Sequence, residues 1–225
     1  MAQHKTAVQV AGTWFAAASV LMVAVLVSHG PLAHDLDHQM QRIANGPLRW
    51  TVVHWIAAAA LSLHALTGLV VLASGSRLTE DRSTLSAWAL LIVSAIWTVT
   101  TAVAEATIVT SAAVSGDVGT FKAWWAFAEG MGNGFAFFAL AVAVIAAHEA
   151  RRSEGASPVW SARVGMVAGL ASFAGWALGR WFGVGFGNLL WVATSIVMSL
   201  WTLWFGVSLM RYDESTLVSN VPRHE

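Results

Sequence analysis

Long apolar segments alternate with short polar breaks along the whole chain. Six segments contain mainly apolar residues over the length of about 20 that a helix needs to cross a bilayer. These segments cover residues 8–28, 48–74, 85–113, 121–148, 158–182 and 187–210. The breaks between them carry turn residues such as Gly30-Pro31 and Gly46-Pro47. The pattern predicts an all-α integral membrane protein, a six-transmembrane-helix bundle in which 1–225 form a single polytopic membrane domain.

The connector between the first two spans has a different pattern. Residues 31–46 are too polar to cross a bilayer. Apolar side chains recur there at helical spacing, namely Leu32, Leu36, Met40 and Ile43. This spacing predicts a short amphipathic helix that lies at the outer membrane surface.

The composition agrees with a protein whose surroundings are a lipid bilayer. Hydrophobic residues make up 57% of the chain and charged residues 11%, against about 25% charged residues in soluble domains. Twelve basic and twelve acidic residues balance, and without a basic patch no nucleic-acid partner is expected. The chain contains no cysteine, which excludes disulfides, thiolate metal sites, iron–sulfur clusters and cysteine nucleophiles.

The distribution of basic residues predicts the orientation in the membrane. Eight Lys and Arg residues flank the spans on the side of the termini, and four flank them on the other side. Cytoplasmic loops carry the excess of Lys and Arg. We therefore expect a protein of the plasma (inner) membrane with both termini in the cytoplasm. The first apolar run has no small-residue cleavage signal, so it is interpreted as a span and not as a removed signal peptide.

Ionisable residues lie at similar depths in three successive spans. At 1.5 Å per residue, His54 lies roughly 9 Å below the outer edge of the second span, and Glu105 and Glu129 lie roughly 12 Å deep in the third and fourth. The connector near this layer carries further polar candidates, namely His29, His34, Asp35, Asp37 and His38. Other candidates at the same outer side are Asn133, Arg180 and Asn188. The layer predicts a polar site in the outer half of the bilayer.

Metal binding is the chemistry that this set of side chains favours. Imidazole and carboxylate groups suit transition metals such as Cu, Fe or Zn, and His34 and His38 have the i, i+4 spacing of helical metal ligands. The predicted ligands are His34, His38, His54, Glu105 and Glu129. A redox enzyme, or a subunit of one, is the function that such a site suggests.

Two other interpretations remain open for the same residues. Buried glutamate and histidine side chains also form proton relays and ion sites, which would make the protein a proton- or ion-coupled transporter that uses Glu105 and Glu129. Alternatively, His54 and His64 serve only as hydrogen-bonding partners between helices, in a structural subunit of a larger membrane complex.

A haem site is a further interpretation of the histidines in the second span. His54-Trp55, followed by Thr67-Gly68, resembles the first histidine-bearing helix of the cytochrome b561-like subunits of bacterial hydrogenases and formate dehydrogenases. This resemblance implies a b-type haem, or a related pigment, in an accessory subunit. His64 lies roughly 15 Å below His54, so the two cannot ligate one iron together. His64 is the better placed for a haem in the middle of the membrane.

Small residues at four-residue spacing mark the fifth span and the turn after it. They are Gly165, Gly169, Gly175, Gly179, Gly183 and Gly187. Small residues at this spacing let helix backbones approach closely. We expect them to pack within the bundle, with a homo-oligomer face as the alternative.

Overall fold

The computed structural model describes residues 6–30, 35–152 and 155–211. The first helices are α1 (Ala7–His29), α2 (Leu36–Asn45) and α3 (Pro47–Ala73). They are followed by α4 (Arg82–Ala104), α5 (Thr110–Ser115) and α6 (Val118–Gly132). The last described helices are α7 (Gly134–Glu149), α8 (Val159–Trp176) and α9 (Gly185–Met210). A π-helical turn, Glu105–Val109, joins α4 to α5, and a second, Ala177–Trp181, extends α8. A 3-10 turn covers Arg77–Thr79.

Six of the helical segments in the described ranges are long and apolar enough to cross a membrane. Two of them are composite, because α4 and α5 form one span (Arg82–Ser115) and α6 and α7 form another (Val118–Glu149). Mean hydropathy of the six spans lies between 1.2 and 2.2. The predicted all-α, six-span architecture is confirmed, and so is the short helix α2 between the first two spans.

The helices begin where the sequence supplies capping groups. Thr6 and Gln9 form a capping box at the start of α1, and Asp35 caps α2. Asp117 caps α6 by accepting a hydrogen bond of 3.0 Å from the backbone N–H of Thr120. That bond holds the pKa of the Asp117 carboxyl below its usual value. These caps satisfy N–H groups that have no partner inside the helix.

The spans form a closed ring in chain order. Helix α1 packs on α3, α3 on α4, α4 on α7, α7 on α8 and α8 on α9, and α9 packs back on α1. The α1–α9 contact is close, since a Cβ at Gly12 would lie 2.7 Å from the carbonyl oxygen of Gly206. Each helix therefore presents one face to the centre of the ring and another to lipid.

Aromatic side chains fill the centre of the ring. Phe15 packs edge-on against His64 with ring centroids 5.2 Å apart. Phe138 also packs edge-on against His64, with ring centroids 5.0 Å apart. Trp88 and Phe205 also contact Phe15, at 5.9 and 6.2 Å. Dispersion contacts among such large rings hold helices together in lipid, where burial of apolar surface gains little.

Glycines allow the tightest contact between α8 and α9. A Cβ on Gly187 would lie 2.3 Å from the backbone nitrogen of Gly179, and one on Gly175 would lie 2.5 Å from that of Trp191. A Cβ on Gly165 would likewise lie 2.2 Å from the ring of Trp201. Close packing within the bundle is therefore found for five of the six glycines, whereas a Cβ on Gly183 would meet no atom within 4 Å.

Helix α2 covers one end of the bundle. Ile43 on its inner face is fully buried in a cluster with Val109, Phe121 and Trp125. The opposite face, which includes His38, is exposed. We refer to this end of the bundle, near α2 and α5, as the α2 end.

Candidate metal centre

Two histidines and one glutamate from three successive spans meet near the α2 end. His29 ends α1, His54 lies in the second turn of α3, and Glu105 begins the π-helical turn after α4. One ligand atom from each residue lies within 4.8 Å of the other two. His54 and Glu105 are buried, while His29 is partly exposed. This group, which we call the His29/His54/Glu105 triad, could hold a metal ion.

Backbone carbonyls fix the orientation of both imidazoles. Nδ1 of His54 lies 2.8 Å from the carbonyl oxygen of Trp50, and Nδ1 of His29 lies 2.7 Å from that of Gly30. Since a carbonyl only accepts, each Nδ1 must carry the proton in these contacts. In a neutral imidazole, Nε2 then carries a lone pair. This arrangement is typical of histidines that bind metals through Nε2.

The contact between His54 and Glu105 has the length of an ion pair. Nε2 of His54 and Oε2 of Glu105 are 2.9 Å apart. Oε2 is buried and has no other hydrogen-bond donor among the described residues. A neutral His54 would place a nitrogen lone pair against a carboxylate oxygen, and two acceptors at this distance repel each other. A positive charge, either a metal ion or a proton, removes the conflict.

A tryptophan holds the two imidazole rings in place. The ring of Trp50 lies 4.5 Å from that of His54 and 4.9 Å from that of His29, measured between centroids. The two imidazoles are themselves 5.1 Å apart. Arg42 on α2 donates a hydrogen bond of 2.8 Å to the carbonyl oxygen of His29. The connector helix therefore secures the end of α1 that carries a triad member.

Local backbone features place His29 and Glu105. Gly30 has φ +67°, a left-handed conformation that favours glycine and ends α1 directly after His29. Glu105 lies in the π turn, whose wider winding leaves its carbonyl to accept a hydrogen bond of 2.6 Å from the hydroxyl of Thr110. Single π turns inside α-helices occur frequently at functional sites.

A cavity of about 110 Å³ adjoins the triad inside the bundle. Its polar end is lined by His29, His54, Glu105, Thr98, Thr101, Glu129 and Arg180. Its other walls are mainly apolar and aromatic, with Phe135, Trp176 and Trp191 among them. The triad thus faces a space that a small molecule could enter, and the space combines a charged end with an apolar body.

Glu129 and Arg180 form an ion pair on the wall of this cavity. Arg180 lies in the second π turn, so each π turn contributes one charged residue to the same cavity. Arg180 also acts electrostatically on Glu105. Glu129, one of the predicted ligands, is exposed and has this arginine as its partner instead of an imidazole.

Asn133 interrupts the fourth span and accepts hydrogen bonds from two tryptophans. Its Oδ1 lies 2.9 Å from Nε1 of Trp176 and 2.8 Å from Nε1 of Trp181. Asn188 packs beside Gly179, and its Oδ1 is buried without a hydrogen-bond donor among the described residues. Asn133, between α6 and α7, therefore binds α8 and the π turn that extends it, Asn188 on α9 packs against that turn, and neither residue joins the triad.

The connector residues lie apart from the triad, except for His29. His38 and Asp37 are exposed on α2. Asp35 caps this helix through a hydrogen bond of 2.7 Å from the backbone N–H of His38. His34 lies outside the described residues. The i, i+4 pair of histidines is therefore represented in the structure only by an exposed His38.

His64 lies in the centre of the bundle, away from the triad. Its ring is 1% exposed between Phe15 and Phe138, and its Nδ1 lies 2.9 Å from the carbonyl oxygen of Ala60. Among the described residues it belongs to no group of three or more potential metal ligands. Its immediate partners are thus those of a packed core side chain.

Sequence reasoning did not anticipate the supporting residues Trp50 and Thr110. Trp50 lies four residues before His54, the spacing at which a helix brings two side chains onto one face. The four-residue spacing therefore predicts that the side chains of Trp50 and His54 lie together. No sequence signal marks the π turns, because their formation depends on packing between helices.

We expect the Asn133–Trp176 hydrogen bond to be measurable as a coupling energy. The Asn133→Leu and Trp176→Phe variants each remove one partner, and the double variant removes both. A buried hydrogen bond between helices in a membrane contributes about 0.6 to 1.7 kcal/mol. Unfolding with SDS in mixed micelles, applied to the four proteins of this cycle, should give a coupling energy in that range. Strictly additive effects would show that the bond makes no net contribution.

Comparison of the chain with protein-family models, curated proteins and solved structures finds no match. The geometry of the site is therefore the basis on which we infer a function.

Proposed function

We propose that this protein is a membrane-embedded metalloprotein whose ligands are His29, His54 and Glu105. One observation carries the proposal. Both imidazoles bond to backbone carbonyls through Nδ1, and Nε2 of His54 faces a buried carboxylate oxygen at 2.9 Å. A metal ion between these groups turns two repelling acceptors into two ligands.

The separations fit a transition metal of the first row. Ligand atoms at about 2.1 Å from one ion lie about 3 Å apart when their bonds are perpendicular. His54 and Glu105 already have this separation. The ligand atom of His29 lies within 4.8 Å of those of the other two residues, so a small shift of the helix end that carries it brings it to the same ion.

Two imidazoles and one carboxylate leave coordination positions open. Sites with three protein ligands and an open position are typical of catalytic metals, and two histidines with one carboxylate bind zinc or non-haem iron. The cavity beside the triad gives a substrate access to this open position. Iron or copper in the site would extend the proposal to a redox enzyme, and zinc would extend it to Lewis-acid catalysis.

The excess of Lys and Arg in loops at the opposite end supports an orientation with the α2 end outside. In this orientation the triad lies in the outer half of the bilayer of the plasma (inner) membrane. A metal supplied from outside would then reach the triad by the shorter route.

Metal analysis of the purified protein tests the proposal. Protein in lipid nanodiscs is dialysed against Zn²⁺, Fe²⁺ or Cu²⁺ and then analysed by mass spectrometry of the elements. We expect about one ion per chain for at least one metal, since a preformed site binds stoichiometrically. His29→Ala and His54→Ala should lose this ion. His38→Ala removes an exposed histidine and should retain it.

A second candidate function follows from the same 2.9 Å contact. A proton shared by His54 and Glu105 also resolves the conflict between two acceptors, and buried carboxylates and imidazoles form proton relays in transporters. Metal-free protein with pH-dependent proton flux in vesicles would overturn the metal proposal in favour of this one. A Soret band that persists in His54→Ala would overturn it in favour of haem at His64.

A further inference from the structure

The cavity beside the triad has the size and the apolar walls to hold a single ring. Its volume is about 110 Å³ and it is half open, whereas a closed apolar cavity of about 150 Å³ in another protein holds a whole benzene, so the open side must take part of the ligand. Phe135, Trp176 and Trp191 form an aromatic wall, with ring centroids of Trp176 and Trp191 only 4.9 Å apart. These surfaces favour a flat apolar body over a polar one.

The charges at the other end of the cavity favour an anion. Glu129 and Arg180 neutralise each other, so a divalent metal on the triad is opposed only by the carboxylate of Glu105. One positive charge then remains uncompensated at a buried position, which is unfavourable at low dielectric. A ligand with a single negative charge at the open coordination position removes this excess.

Arg180 can recognise such a ligand directly. Its side chain is 19% exposed, whereas that of Glu129 is 44% exposed, so the arginine is the more enclosed member of the pair. A guanidinium offers five N–H donors, and one carboxylate partner does not use all of them. The planar fork matches a second carboxylate in bidentate geometry.

Basic side chains also lie beside His29 at the α2 end. His29 borders a second, smaller cavity of about 50 Å³, which Arg49 lines. Arg49 donates to the carbonyl oxygen of Ser28, a neutral partner that leaves its positive charge in place. Positive charge at the mouth of a site raises the local concentration of anions.

We propose that the cavity binds a small aromatic or similarly lipophilic monocarboxylate. The carboxylate lies between the metal of the triad and Arg180, and the ring lies against Phe135, Trp176 and Trp191. This inference rests on the metal centre proposed above and assigns a substrate class to it.

Fluorine NMR of the full-length protein in nanodiscs tests the inference. The probes are 4-fluorobenzoate and its neutral analogue 4-fluorobenzyl alcohol, each titrated into metal-loaded and chelator-treated protein. We expect saturable binding of the benzoate that is about tenfold tighter than that of the alcohol, and about tenfold tighter with metal than without, because each added charge-assisted bond contributes at least this factor. The metal content of every sample is measured in parallel.

Two pairs of variants locate the bound ring and its carboxylate. Arg180→Gln should weaken benzoate binding about tenfold, whereas Arg163→Gln, at an exposed position of α8, should not change it. Ala57→Leu fills the cavity that Ala57 lines and should abolish binding of both probes. Ala59→Leu, at an exposed position of the same helix, is the matched control. Size-exclusion profiles confirm that each variant is folded.

The possible failures are distinguishable. Protein that holds its metal but does not bind benzoate saturably would overturn the ligand inference and leave the metal centre intact. Equal binding in Arg180→Gln and Arg163→Gln would overturn the role of Arg180, and unchanged binding in Ala57→Leu would exclude the cavity as the location. Wild-type protein that takes up no metal would overturn the proposed function itself.

Discussion

Glu105→Gln is expected to lower the affinity for metal by on the order of a hundredfold or more, since loss of a partner that merely orients a metal ligand already costs 10- to 100-fold. Glutamine has the shape of glutamate but no charge, and its amide is a poor ligand. In the metal-free protein the same change should leave stability equal or higher. The new amide N–H can donate to Nε2 of a neutral His54, which the carboxylate oxygen of Glu105 faces at 2.9 Å.

Glu105→Gln distinguishes a metal ligand from a member of a structural ion pair. A metal ligand predicts weaker metal binding with equal or higher stability, whereas a structural ion pair predicts lower stability. Metal affinity is measured by competition with a chromophoric chelator, and stability by SDS unfolding of chelator-treated protein. Glu129→Gln serves as the control, because Glu129 lines the same cavity but pairs with Arg180. Metal retained by Glu105→Gln, or lost equally in both variants, would contradict the assignment of Glu105 as a ligand.

Gly187→Ala is expected to destabilise the fold by about 3 kcal/mol, the upper part of the usual range for an overpacked interior. The added Cβ would lie 2.3 Å from the nitrogen and 2.7 Å from the Cα of Gly179. These are backbone atoms of the preceding helical segment, so no side-chain rotation relieves the clash. The two segments must separate, and Arg180, adjacent to Gly179, must move with them. Ligand binding should therefore weaken along with stability.

Gly130→Ala is the matched control for this prediction. An ideal Cβ at Gly130 meets no atom within 4 Å, and alanine in a helix is favoured over glycine by about 0.5 to 1 kcal/mol. We expect SDS unfolding to show unchanged or slightly higher stability for Gly130→Ala. A Gly187→Ala protein as stable as the wild type would show that the α8–α9 contact is looser than described.

The six spans could be predicted because the signal for them is local. A bilayer requires a continuous apolar run, and each of the six runs forms a helical span. Depth was also predictable, since the rise per residue of a helix is constant. The constant rise places His54 and Glu105 at similar depths, and in the structure their side chains are 2.9 Å apart.

The partners within that layer could not be derived from the sequence. The order of the helices around the ring depends on side-chain packing across the whole bundle. Each π turn inserts a residue and rotates the following helix by about 100°, so the direction of Arg180 could not be read from a regular helical pattern. The break at Asn133 has a similar effect on the fourth span, where Glu129 contacts Arg180 and not the triad.

The connector shows a different limit. In the connector, residue type alone indicates the candidate ligands, because histidine and aspartate can bind metals in any segment. Burial of Ile43 determines which face of α2 points inward, and this leaves His38 exposed. His29 contributes to the triad because Gly30 ends α1 at that residue. The relevant property was the position of a helix end, which residue type alone does not reveal.

The arrangement of the triad around the ring has a consequence for biosynthesis. All three members belong to the first three spans, whereas Trp176, Arg180 and Trp191 belong to the fifth span and the sixth. A ribosome delivers the spans to the membrane in chain order. The atoms that would bind the metal are therefore present in the membrane before the wall that encloses them. If the triad binds a metal, the ion would reach an incomplete, open site, and packing of α9 against α1 would then enclose it.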